Sequence, residues 1–243
     1  MDIYYLSEDI FIEDNKTYYL KNNRKYKVTK LNWHKILNKV GWEKLHIQWI
    51  KLLNKTSYNP PKNSLFGEID CGGKGDCFFN CISYALNSTM DNDQYYTSNI
   101  LRDRLSKSIS YSNYNEMVNM YKIYYDNDDF DEEWDPYTIT YDQFINIIKS
   151  SNTWGDYLLL DKFINLFNIN IIILYVNTIH KEYYVYNTLH RYNPANKTII
   201  LNYFNEIHFT LVGYFNSNKM VTLFKDNTLP KEISNLLKRN KFL

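Results

Sequence analysis

The chain has 243 residues, 44% of them hydrophobic and 17% aromatic, which is enough for a sizeable core and too apolar for a disordered segment. Lys and Arg number 28 against 27 Asp and Glu, so a net charge of +1 supplies no global field to hold nucleic acid or an anionic membrane, and neither is expected as a partner. Three cysteines without framework spacing and no N-terminal apolar run lead to the expectation of a cytoplasmic protein without signal peptide or membrane span.

Residues 1 to about 30 alternate apolar and polar side chains in Ile3–Leu6, Ile10–Ile12 and Thr17–Leu20, separated by Asp, Asn and Lys clusters, and this predicts short strands. From Leu31 to Leu53 the positions Ile36, Leu37, Val40, Leu45, Trp49, Ile50 and Leu53 fit a helical stripe with a break at Gly41. Trp33, Trp42 and Trp49 in it are read as packing residues that fasten the extension to the main domain. Asn59-Pro60-Pro61-Lys62-Asn63-Ser64 then interrupts regular structure and marks a boundary.

The most informative stretch follows, Gly72-Gly73-Lys74-Gly75-Asp76-Cys77-Phe78-Phe79-Asn80-Cys81-Ile82. Closely spaced glycines allow positive φ and let backbone N–H groups turn inward to cradle an oxyanion, with Lys74 and Gly75 as the candidate donors. Phe79, Ile82, Ala85 and Leu86 recur at three- and four-residue steps, so a helix with one buried face begins at the cysteine. Cys77 in the first turn would have its thiol pKa lowered by the helix dipole, as a nucleophile requires. A free cysteine is more often a small buried hydrophobe, and Cys81, one turn on, is read that way. Cys71, Cys77 and Cys81 contain no C-x-x-C pair and no nearby histidine, so no metal and no cofactor are expected.

Helices are predicted over Tyr95–Ile109 and Tyr114–Tyr125 as scaffold, and over Tyr141–Ser150 and Asp156–Phe167 on either side of Thr153-Trp154-Gly155. The acidic run Asp126–Glu133 lacks the glycine and terminal glutamate of an EF-hand loop and reads as a solvated loop, with attraction of a basic substrate surface as its functional alternative. Ile169–Tyr175 is the most apolar strand-like stretch of the chain and predicts a central strand, followed by strands at Tyr183–Tyr186, Thr198–Leu201 and Ile207–Tyr214. His208 opens the last of these. A helix-start cysteine with a strand histidine is the pair that thiolate chemistry uses.

Gly75-Asp76-Cys77-Phe78-Phe79 with Ile82-Ser83, then Trp154-Gly155-Asp156-Tyr157 with the helix and buried strand after it, then Ile207-His208-Phe209-Thr210-Leu211-Val212 resemble, in that order, the ovarian tumour (OTU) cysteine proteases. The resemblance covers about residues 66–217. It implies an α+β, papain-like fold with a small central sheet between helical regions, an N-terminal extension over residues 1–65, and a tail with a short helix over residues 218–243. It implies a deubiquitinase in which Cys77 attacks the isopeptide carbonyl after the terminal glycine of ubiquitin and His208 is the base, with ubiquitin or polyubiquitin as partner. Two positions depart from the family pattern. Lys74 stands where aspartate is usual three residues before the cysteine, and Thr210 stands where Asp or Asn usually orients the histidine. Thr210 is taken as the third member of the site, with Asn202, Asn205 and Asp70 as polar side chains that could replace it. Two readings compete with the deubiquitinase: a ubiquitin-binding scaffold with weak or no catalysis, and a protease that processes another ubiquitin-like modifier or a polyprotein. The abundance of Asn, Ile, Lys, Tyr and Phe points to an AT-rich genome, as in large DNA viruses and parasites, which would make the host cytoplasm the place of action.

Overall fold

The structure is a computed structural model that describes residues 3–73, 75–88, 94–130, 133–150, 157–186 and 192–240. Its N-terminal strands β1 (Ile3–Tyr5), β2 (Ile10–Glu13), β3 (Lys16–Lys21) and β4 (Arg24–Lys27) form an antiparallel sheet in sequence order. Two-residue turns fix its register. Asp14-Asn15 and Asn22-Asn23 all take positive φ, the conformation in which a turn matches the twist of the strands it joins.

The apolar stripe over residues 31–53 is broken where expected but not refilled as helix. Helix α1 (Trp33–Leu37) runs into a 3-10 turn, Gly41 stops it at φ +89°, and a strand β5 (Trp42–Lys44) precedes helix α2 (Ile47–Thr56). Packing overrides the helical period here. The Trp42 ring fills the space above Gly213, where a Cβ would come within 2.7 Å of it, and Trp33 occupies the same kind of space above Gly67 at 2.8 Å. Both rings are buried, as is Trp49, so the tryptophans do fasten this region to the rest. Truncating such a ring typically costs about 3–5 kcal/mol.

The remaining elements are β6 (Phe66–Ile69), α3 (Cys77–Asn87), α4 (Ser98–Ser108), α5 (Tyr111–Asp126), α6 (Tyr141–Lys149) and α7 (Tyr157–Phe167), then β7 (Ile169–Asn177), β8 (Glu182–Tyr186), β9 (Lys197–Phe204), β10 (His208–Asn216), β11 (Lys219–Val221), β12 (Leu223–Phe224) and α8 (Lys231–Arg239). The second sheet has the order β5-β6-β10-β9-β7-β8, with β11 beside β10 and β12 beside β9. Strands β7 and β9 are parallel and the other pairs antiparallel.

One face of this sheet packs on α2 and α8 through Leu45, Trp49, Leu53, Ile233 and Leu237. The other packs on α3 to α7 through residues such as Phe79, Ile82, Leu101, Phe144 and Phe163. Apolar cover on both faces explains why β7 is buried along its whole length and why Ile169–Tyr175 carries no alternation. The arrangement sets the start of α3 against the start of β10.

Candidate active site

Cys77 is the first residue of α3 and is only 2% exposed. Strand β6 pairs with β10 only as far as Leu211, so the backbone of Phe209 lies free to meet the helix. Its N–H faces the Cys77 sulfur, and its carbonyl accepts from the Cys81 thiol at 3.5 Å. The ring of Phe209 stacks on Tyr203 at 4.2 Å and meets Phe78 edge-on at 5.6 Å. These contacts hold the sulfur beside the residue that follows His208. Burial pushes the Cys77 thiol up, while the N–H groups of Phe209, Phe78 and Cys77 itself pull it down. The net direction is upward, a correction to the lowered thiol expected from the helix start alone: desolvation outweighs the helix end. Cys81 is fully buried core, as expected, while the partly exposed Cys71 donates to the Ile69 carbonyl at 3.8 Å.

His208 is the first residue of β10, and its Nε2 lies 3.1 Å from Asp70 Oδ1. A carboxylate only accepts, so Nε2 carries the proton and Nδ1 is the nitrogen with a free lone pair. The same Asp70 oxygen accepts the N–H of Gly72 at 2.8 Å, which ties the histidine's partner to the glycine loop. Both side chains are substantially exposed, 29% for His208 and 65% for Asp70, so the pair orients the ring and adds little stability. Among the described residues no hydrogen bond joins the imidazole to the Cys77 sulfur. In hydrolases of this kind that contact commonly tightens only when substrate binds.

Thr210 does not meet His208. Its hydroxyl donates to Glu68 at 2.8 Å, and the Asn202 amide donates to the same carboxylate oxygen at 2.8 Å. Burial pushes the Glu68 carboxyl above its ordinary value, with the Thr210 and Asn202 donors acting against that rise. Asn205 caps the turn at Thr178 and is also elsewhere. Asp70, one of the substitutes considered for the threonine, is therefore the side chain that meets His208.

The loop between β6 and α3 has Gly72 at φ +103° and Gly75 at φ +85°, where a side chain would strain the backbone. Lys74, Trp154 and the rest of 151–156 lie outside the described residues. Arg102 on α4 was read only as part of a scaffold helix, yet its guanidinium is buried against this loop, donating to Asp76 at 2.6 Å and to the Gly75 carbonyl at 2.9 Å. The signal was its place in the stripe Leu101-Arg102-Leu105-Ser106, where a solvated arginine would not lie. Among the described residues no three His, Cys, Asp or Glu side chains converge to hold a metal, and no helix is long and apolar enough to cross a membrane.

A family profile for OTU-like cysteine proteases matches residues 72–211, which span the glycine loop, α3 and the start of β10. The chain belongs to this family. The α+β, papain-like OTU fold expected from the sequence is the fold observed, a mixed sheet with helices on both faces. Among solved structures this OTU chain is similar to the OTUD1 OTU domain, at 14% identity and a TM-score of 0.43 over 60% of this chain and 85% of that one. It is also similar to an ovarian tumour domain in complex with ubiquitin, at 14% identity and a TM-score of 0.41 over 73% of this chain and 89% of that one. An OTU deubiquitinase from Wolbachia pipientis wMel matches at 15% identity and a TM-score of 0.38 over 72% of this chain and 98% of that one. No curated protein sequence matches.

Proposed function

We propose that this OTU-family chain is a cysteine deubiquitinase that hydrolyses the isopeptide bond after the C-terminal glycine of ubiquitin, with Cys77 as nucleophile, His208 as base and Asp70, in place of Thr210, as the group that orients the histidine. The observation that carries it is the Asp70–His208 contact at 3.1 Å, in a histidine whose chain neighbour Phe209 turns its backbone N–H toward the Cys77 sulfur. Ubiquitin as substrate rests on family membership.

In the first step the Cys77 thiol gives its proton to His208 Nδ1 while Sγ forms a bond to the isopeptide carbon. Asp70 accepts from Nε2–H and stabilises the imidazolium. The carbonyl oxygen becomes an oxyanion, which the N–H of Cys77 and the N–H groups of the Gly75 turn receive, each such donor being worth about 3 kcal/mol. The tetrahedral intermediate collapses as the C–N bond breaks and His208 protonates the leaving lysine amine. Water, deprotonated by His208, then cleaves the thioester and regenerates the thiol. No cofactor or metal enters these steps.

A ubiquitin-binding scaffold is the second reading, favoured by the 2% exposure of Cys77 and its upward-shifted thiol. The two separate on diubiquitin: a deubiquitinase yields monoubiquitin with wild type and none with Cys77→Ala or His208→Ala. A scaffold binds diubiquitin equally in all three and cleaves it in none. Cleavage of a peptide or another modifier with ubiquitin untouched would instead favour the processing protease.

A further inference from the structure

Arg102 is a fully buried cation that grips the loop before Cys77. Its side chain is 2% exposed, and it lies on α4, some 25 residues beyond the cysteine in sequence. Nε donates to Asp76 Oδ1 at 2.6 Å, Nη2 to the Gly75 carbonyl at 2.9 Å, and Nη1 to the Ile148 carbonyl on α6 at 3.1 Å, while the guanidinium stacks 4.0 Å from the centre of the Phe79 ring. Gly75 and Asp76 are the two residues before Cys77, and Phe79 is two residues after it. The fork therefore grips the chain on both sides of the nucleophile. Asp76 in consequence makes no side-chain cap to α3. An ordinary N-cap aspartate would bond a helix N–H of its own, so here that carboxylate has been diverted to the arginine.

A buried ion pair is a poor source of stability, because desolvating two charges offsets most of their attraction. Retaining one beside the glycine loop makes sense if it fixes geometry. We infer that Arg102 is a positioning residue for the Cys77 reaction: its planar fork holds the Gly75–Asp76 backbone with N–H groups aimed at the developing oxyanion, and its charge favours the Cys77 thiolate. The inference rests on the proposed function for its first half and is independent of it for its second.

Burial disfavours the charged guanidinium, and both Asp76 and a Cys77 thiolate stabilise it. By reciprocity the guanidinium stabilises the thiolate. Among the described residues, the other titratable groups near that sulfur are Asp70, which opposes ionisation, Cys81 one turn along α3 and Tyr203 on β9, with Asp76 in the loop before it and His208 at the start of β10. Arg102 acts on it from α4.

Charge and fork separate in two substitutions. Arg102→Lys keeps the charge and loses the planar fork, and Arg102→Met loses both. The full-length chain is assayed for hydrolysis of ubiquitin carrying a C-terminal fluorophore and, without ubiquitin, for iodoacetamide alkylation of Cys77 against pH, with the adduct located by peptide mass. The expected result is a kcat about tenfold to hundredfold lower in both variants with KM little changed, the size of effect that misaimed oxyanion donors produce. The alkylation midpoint should rise in Arg102→Met and stay near wild type in Arg102→Lys. If either variant fails to fold, Asp76→Ala breaks the clamp from the loop side. It removes a negative charge near the sulfur, so its alkylation midpoint should fall while kcat also falls, faster ionisation with slower turnover. Folded variants with unchanged midpoints and unchanged kcat overturn the inference, as does a loss confined to KM. If wild type cleaves no ubiquitin substrate, the proposed function falls, and the alkylation midpoints alone decide the role of Arg102.

Discussion

The two halves of the candidate site differ in their exposure to water. On one side the His208–Asp70 pair stands at the end of β10 with 29% and 65% of its side chains exposed, joined by a single 3.1 Å contact. On the other, Cys77 and Arg102 are 2% and 1% exposed and enclosed by α3, α4 and Phe209. Water screens the first pair, so its partners can exchange protons with solvent and regain their positions at little cost. The second half sits in a low-dielectric pocket where each hydrogen bond and charge counts for more and a missing partner is expensive. A base that must cycle between imidazole and imidazolium suits the first setting. A loop that must hold N–H groups still while charge develops suits the second.

The largest break in this comparison is His208→Ala. It removes the proton carrier and should lower kcat/KM by roughly 10²–10⁴-fold on a ubiquitin substrate, with unfolding temperature nearly unchanged because the side chain is exposed. Asp70→Asn keeps the shape and a possible hydrogen bond but not the charge. It should cost about tenfold to hundredfold in kcat, less than losing the base itself.

Thr210→Val sharpens the assignment. With its hydroxyl on Glu68 at 2.8 Å, the valine variant should keep kcat within about twofold and lose about 1 kcal/mol of stability through the donor removed from a buried carboxylate. A fall in kcat as large as that of Asp70→Asn would return the threonine to the orienting role. The smallest effect is expected from Glu68→Gln. Burial raises the Glu68 carboxyl above 4.5 in the folded chain, so the folded state holds that proton more tightly than the unfolded one. The stabilisation from this proton is complete below the unfolded carboxylate value and is lost as pH rises through the folded value. Glutamine does not titrate, so thermal unfolding should show the variant gaining on wild type by about 1 kcal/mol or less between about pH 4 and pH 7. A variant that loses ground as pH rises would contradict the direction.

What was legible in the chain was periodic or local. The glycine loop, the helix starting at Cys77, the strongly apolar β7 and the strand opened by His208 all lie where their spacing put them. The side chain that meets His208 was legible only as one of three possible substitutes, because the contact depends on register between distant strands. Leu211 stands opposite Ile69, so the chain leaving β6 at Asp70 runs toward the His208 end of β10, and no local pattern announces that pairing. The family pattern pointed instead two residues downstream, to Thr210, which sits on the same strand but turns to Glu68. Arg102 was missed for the opposite reason. Its position in an apolar stripe was visible, but an arginine in a helix is ordinarily read as solvated, and only the fold brings residues 75, 76 and 148 around it. The strand Trp42–Lys44 was hidden by a helical period that packing against Gly213 overrode.

The most direct test is to incubate the full chain with ubiquitin bearing a C-terminal electrophile and to follow intact mass, then locate the linkage by peptide mapping. Three thiols compete, Cys71 the most exposed and Cys77 and Cys81 buried. The account predicts one ubiquitin added per chain, attached at Cys77, and none added to Cys77→Ala although Cys71 is still present. No adduct with wild type, or an adduct that persists in Cys77→Ala, would contradict it.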